Sequence, residues 1–147
     1  MRHVSEVIQI KTGKSLDFVD ITDQVVAIVE RAAVRNGFVN IQSKHTTAGV
    51  IVNENEPLVL QDMCDILESL APQGVPYRHD DFSVRVVNMC EDEFQNGHAH
   101  CKALFIRTSE TLNIVEGKVQ FGRWQRVFLL ELDRPRVREV SVVVLGD

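Results

Sequence analysis

The sequence predicts one mixed helix-and-strand domain, and three observations carry that expectation. The chain has 147 residues, 44% of them apolar, so it is long enough to remove about two-thirds of its unfolded surface from water in one core. Segments of period two alternate with segments of helical spacing, and the final third reads as consecutive antiparallel strands. Turn residues punctuate the pattern without any linker-like or repeated stretch.

The elements follow in order. Ile8 to Thr12 alternates as a half-buried strand, and Gly13-Lys14 turns it toward a short strand at Leu16 to Val19. Thr22 is placed to cap a helix, Asp23 suits its first turn, and Val25, Ile28/Val29 and Ala32/Ala33 recur on one face until Asn36-Gly37 stops it. Phe38 to His45 has period two and puts His45 on the side of Val39 and Ile41 if the strand continues that far. Gly49 to Glu54 is apolar enough for burial on both faces, so Asn53-Glu54-Asn55-Glu56 emerges at its end. Pro57 opens a second helix with Leu60, Met63, Ile66/Leu67 and Leu70 as inner stripe and Asp62 close to it; Pro72 to Pro76 ends it. Phe82, Val84 and Val86 suggest a short strand, Asn96 to Phe105 a third helix. Strands at Thr111 to Val115, Val119 to Asp133 and Val137 to Leu145 complete the chain, with a Glu116-Gly117 turn and an irregularity at Gly122.

Composition excludes several function classes. Sixteen Lys and Arg against twenty-one Asp and Glu leave a net charge of -5, which argues against general nucleic-acid binding. No apolar run approaches the roughly 20 residues that span a bilayer, and the N-terminus lacks a secretory signal, so a cytoplasmic protein is expected. Three cysteines without C-x-x-C suggest neither a disulfide framework nor a thiolate zinc site. Phosphate-loop, dinucleotide, α/β-hydrolase and zincin signatures are absent.

The residues that could carry chemistry fall into three groups and a lone tryptophan. His98-Ala99-His100 would point both rings one way on a strand, but about 200° apart on a helix, so the pair needs His45 as a third ligand to make a metal site. Glu54, Asn53 and Asp62 suit a hard cation such as Mg²⁺, or equally the polar start of a helix. Lys102 and the C-terminal arginines, Arg136 among them, would make a phosphate or carboxylate pocket if they converge on the histidines. Trp124 fits ring stacking on a planar ligand or packing at an interface.

In this order, His45-Thr46-Thr47-Ala48-Gly49, Asn53-Glu54-Asn55, Tyr77-Arg78-His79-Asp80, Asn96 to Ala103, Gly122-Arg123-Trp124-Gln125 and Glu131-Leu132-Asp133 resemble the YjbQ (UPF0047) family over nearly the whole chain. That resemblance implies a compact α+β domain, mostly antiparallel strands with about three helices, assembled as a homotrimer. It also implies a secondary thiamine-phosphate synthase activity, joining hydroxymethylpyrimidine diphosphate to a thiazole phosphate with release of pyrophosphate. The matching polar positions are His45, Asn53, Glu54, Asp62, His79, His100, Lys102, Trp124, Gln125 and Glu131. Arg123 stands where the family usually has Thr, and Phe82 to Gln95 is less typical of it.

Joined to the residue chemistry, the resemblance yields specific roles. His45, Glu54, His100 and Lys102 are the catalytic candidates. Asn53, His79, Trp124, Gln125, Glu131 and Arg136 are the substrate-binding candidates, and His45, His98, His100 and Asp62 are the ligands for a possible Mg²⁺ or Zn²⁺. The expected partner is a small phosphorylated metabolite. A non-catalytic trimeric binder of such a metabolite or metal, and a zinc-dependent hydrolase, are the competing readings.

Overall fold

The computed structural model describes all 147 residues. Eight strands and three α-helices follow one another as β1 (Arg2–Lys11), β2 (Asp17–Asp20), α1 (Thr22–Ala32), β3 (Gly37–Ser43), β4 (Ala48–Glu54), α2 (Pro57–Leu70), α3 (Gly97–Ala103), β5 (Ser109–Val115), β6 (Lys118–Val119), β7 (Gln125–Glu131) and β8 (Val137–Gly146). The expected mixed α+β domain is the one observed. One sheet runs β1-β8-β3-β5-β6 and the other β2-β7-β4, and every pairing is antiparallel.

The main core forms where the two sheets and α1 meet. Val39, Ile41, Val140, Val142 and Val144 come from the larger sheet, Val50, Val127 and Leu129 from the smaller, and Val25, Ile28 and Val29 from the helix. Strand β7 is buried on both faces: Leu129 joins this core, while the neighbouring Leu130 points the other way and meets Leu67 of α2 and Ala99 of α3. Truncating such a leucine to alanine costs about 2–5 kcal/mol. The small sheet is therefore a wall, with the core behind it and α2 and α3 in front.

Several elements differ from the sequence reading for identifiable reasons. β1 starts at Arg2, because pairing with β8 carries the alternation through Val4 and Glu6, the latter bound at the rim by Arg31 at 2.8 Å. α1 ends at Ala33, which takes a left-handed φ of 49°, before Asn36-Gly37 is reached. The long strand expected from Val119 to Asp133 is broken into β6 and β7, and Gln125 Oε1 accepts from the Gly122 N–H inside that break. Glu116 and Gly117, with φ of 51° and 80°, make the expected tight turn.

The stripe of α2 is less buried than its spacing suggests: only Leu67 is buried, whereas Ile66 and Leu70 are exposed. No strand forms at 82–86. Arg85 is drawn inward by Glu93 Oε1 at 3.0 Å and the Asn88 carbonyl at 2.9 Å, which turns Val84, Val86 and Val87 out to solvent. No helix is long and apolar enough to cross a membrane.

Candidate functional site

Helix α3 organises the surroundings of the histidines. Its start is fixed from outside, since the Asp80 carboxylate accepts the backbone N–H groups of Asn96 and Gly97 at 3.0 and 2.8 Å, a capping role that Asn96 itself does not fill. The one-turn 3₁₀ segment Arg78–Asp80 thereby brings His79 over the helix. The rings of His79 and His100 lie 4.5 Å apart, centre to centre, tilted by 48°.

Beside this pair opens a cleft of about 640 Å³ whose lining includes Thr46, Arg85, Cys90, Asn96, Arg134 and Arg136. It continues past Thr46, Asn96, His100 and Arg136 into a smaller recess of about 290 Å³ lined also by Lys44, His45 and Arg138. The arginines differ in commitment. Arg85 is bound to Glu93, and Arg134 to Asp133 at 2.9 Å while it covers the Phe94 ring. Arg136 reaches Asp133 only at 3.4 Å and its side chain is 40% exposed, so it is the cation most available to a guest.

His100 is held below its ordinary range by burial first, then by the charges of His79 and Arg85. It therefore stays neutral near pH 7, able to accept a proton. His45 is likewise lowered, by burial and then by Arg138. It lies beyond the end of β3, in the loop to β4, and its Nε2 accepts the Glu139 backbone N–H at 2.8 Å. A neutral ring whose Nε2 accepts carries its proton on Nδ1, so His45 offers a guest a donor rather than a lone pair.

The metal ligands expected from the sequence do not come together. His98 and His100 sit on opposite sides of α3 and line different pockets, as the helical angle requires. The Nε2 of His45 is taken up by the Glu139 N–H, and Asp62 is exposed on α2. No group of three or more His, Cys, Asp or Glu side chains is placed to hold an ion. Within one chain these residues do not fit a divalent metal.

The other candidates separate by position. Asn53, Glu54 and Gln125 lie at the far end of the small sheet, where Glu54 pairs with Gln125; the opposite end of the same ladder pairs Ala48 with Glu131. Six residue steps at ~3.3 Å put about 20 Å between the two ends. Trp124, 61% exposed under the Arg123 guanidinium, belongs to the far end as well.

Lys102 is not at the cleft. It is wholly buried, donating to the Ala71 carbonyl at 2.7 Å and paired with Glu68 at 2.9 Å, and so fastens α3 to the end of α2. Glu131, also wholly buried, receives a two-pronged grip from Arg138, with Nε to Oε2 at 2.7 Å and Nη2 to Oε1 at 2.5 Å, plus the Thr12 hydroxyl at 3.0 Å. It braces the sheets and touches no pocket described here. The residues that sequence reasoning missed, Arg85, Asn96 and Thr46, reach the cleft through loop geometry; Asn96, next to the HAH motif, carried the one available signal.

With this geometry in hand, comparison with known proteins is decisive. The model of the UPF0047 protein YjbQ-like family matches residues 6–147. The chain belongs to that family. A UPF0047 protein of Archaeoglobus fulgidus is 37% identical over 136 residues, covering 92% of this chain and 97% of the relative. One from Methanocaldococcus jannaschii is 35% identical, covering 95% and 92%. Among solved structures, a YbjQ-like protein of unknown function from Sulfolobus solfataricus superposes with a TM-score of 0.88 at 31% identity, over 99% of each chain. A hypothetical protein from Aeropyrum pernix gives 0.86 at 30% identity, over 98% and 99%. The function of the family is not established by these relatives.

Proposed function

We propose that the cleft binds the phosphoryl end of a small phosphorylated metabolite, and that it serves a secondary thiamine-phosphate synthase reaction on cytoplasmic substrates. The observation that supports this reading is the convergence of the adjacent His79–His100 pair with Arg85, Arg134 and Arg136 on one cleft. Arg136 would meet the phosphate as a two-pronged donor, His45 Nδ1–H would add a neutral hydrogen bond, and His100 would accept a proton. In hydroxymethylpyrimidine diphosphate the departing pyrophosphate is where negative charge gathers, and an arginine aimed at it favours departure.

Glu54, Asp62 and Trp124 lie away from the cleft in one chain, so in this reading they reach it only from a neighbouring copy. A homotrimer is accordingly part of the proposal, supported by the apolar residues Val84, Val86 and Val87 that stand exposed beside the cleft. The missing carboxylates also favour the competing reading, a binder without turnover. The zinc hydrolase is not carried further, because no ligand set supports it.

Calorimetry with pyrophosphate and with thiazole phosphate, run beside a turnover assay with hydroxymethylpyrimidine diphosphate, tests the reading. Saturable binding that weakens at least tenfold in Arg136→Ala is expected, with turnover lost in His100→Ala. Binding without turnover selects the binder. Wild-type affinity in Arg136→Ala removes the cleft from consideration.

A further inference from the structure

On the side of α3 away from the histidine pair lies a second pocket, of about 560 Å³, between that helix and the segment that follows α2. Tyr77 and Phe94 are its aromatic walls, and Asp80, Asp81, Gln95 and His98 supply its polar surface; no Lys or Arg lines it. Of the neighbouring cations, Arg134 is matched by Asp133 and Lys102 by Glu68. One short helix thus divides an arginine-lined cleft from a carboxylate-lined pocket.

His98 marks the second pocket as unfinished. The residue is 3% exposed, and its Nε2 is buried without any hydrogen-bond partner. Buried polar groups are nearly always paired, and an orphan costs about 1–3 kcal/mol. Burial and then the Lys102 charge hold this ring below its ordinary range, so it is neutral near pH 7 and has a nitrogen able to accept.

The walls are fixed in place. A Cβ on Gly97 would fall 2.5 Å from Tyr77 Cβ, so the glycine is what lets the tyrosine lie against the helix start. The Tyr77 hydroxyl is tied to the Pro72 carbonyl at 2.8 Å. A preformed pocket of this size suits a small organic guest.

We infer that this pocket takes an organic cation, a primary ammonium or protonated amino-heterocycle, with its N–H groups toward Asp80, Asp81 and His98 and its apolar body between Tyr77 and Phe94. Two carboxylates without a lining cation select positive charge, and the Tyr77 ring attracts it further, whereas the Phe94 ring, already under the Arg134 guanidinium, offers only apolar surface. An anion would meet repulsion from both aspartates. A bare metal ion would leave the aromatic surface unused, and Asp80 Oδ1 already accepts two backbone N–H groups. The inference is independent of the phosphoryl reading, since it concerns another pocket and the opposite charge.

The test is titration calorimetry at pH 7.5 with benzylammonium and its neutral counterpart, benzyl alcohol. Benzylammonium is expected to bind saturably and at least tenfold more tightly than the alcohol. Asp81→Asn and His98→Gln are each expected to weaken it at least fivefold while leaving pyrophosphate binding unchanged. Asp81 lies at the exposed rim, so D81N decides the matter should H98Q fail to fold. Equal affinity for the two probes, no saturable benzylammonium binding, or unchanged affinity in D81N would overturn the assignment.

Discussion

The Lys102–Glu68 pair gives the sharpest check on the reassignment of Lys102 from phosphate ligand to structural tie. Lys102 has no exposed surface, while the Glu68 side chain is 43% exposed, so the two ends of one ion pair stand in different media. Removing Glu68 strands a buried ammonium with the Ala71 carbonyl as its remaining partner. Stranding one member of a buried pair costs about 3–5 kcal/mol, and water access through the exposed Glu68 side lowers the expectation to about 2–3 kcal/mol for Glu68→Ala. Lys102→Met removes the charge as well as its partner's attraction, and the relieved desolvation offsets the lost bonds, so its cost is about 1 kcal/mol or less. The double variant should therefore be more stable than Glu68→Ala alone. Urea denaturation measures all three, and in a chain of this size Glu68→Ala should lower Tm by roughly 5–10 °C. Glu68 is held below its ordinary 4.5: burial opposes ionisation, but hydrogen bonds from Lys102 and the Gln73 N–H outweigh it. Its contribution is thus full above that value and lost as pH falls through the lowered one, so the gap between wild type and Glu68→Ala should close in acid. A double variant no more stable than Glu68→Ala, or one lacking pyrophosphate binding, would refute the reasoning.

Three further outcomes are expected. Glu131→Gln should cost about 3–5 kcal/mol in urea denaturation, because Arg138 is left charged and buried, and a loss under 1 kcal/mol would contradict the bracing role. His45, His98 and His100 are all lowered in the folded state, so the unfolded chain binds protons first as pH falls below 6.5. Stability should consequently decline from pH 7 toward 5.5, with a shallower slope in His100→Asn; parallel slopes would show that His100 takes no part. Arg85→Ala should release residues 82–94, read as amide exchange about tenfold faster there than in β7, whereas uniform change would point to global destabilisation.

The fold was legible wherever one periodicity ruled a segment. β3 and β4 are bounded by alternation and by a run of apolar residues, α2 begins at Pro57, and Glu116-Gly117 turns as its residues demand. It was illegible where tertiary pairing decided, as in the first half of β1 and in the 82–86 segment, whose alternating valines mimic a strand although Arg85 is the residue held inside. For the site, His79, His100 and Arg136 are among the candidates the sequence offers and they line one cleft or its recess, but polarity alone does not say whether a side chain faces water or the core. Lys102 and Glu131 are charged, buried and away from the cleft. Spacing held a clue to the first: His98, Ala99 and Lys102 lie at i, i+1 and i+4, and all three are buried.

One carboxylate oxygen, Asp80 Oδ1, sets where α3 begins, and both pockets take their shape from that helix. Asp80→Asn would thus disturb the start of the helix that walls both pockets, and in the second of them it would also remove one of the two carboxylates that select a cation.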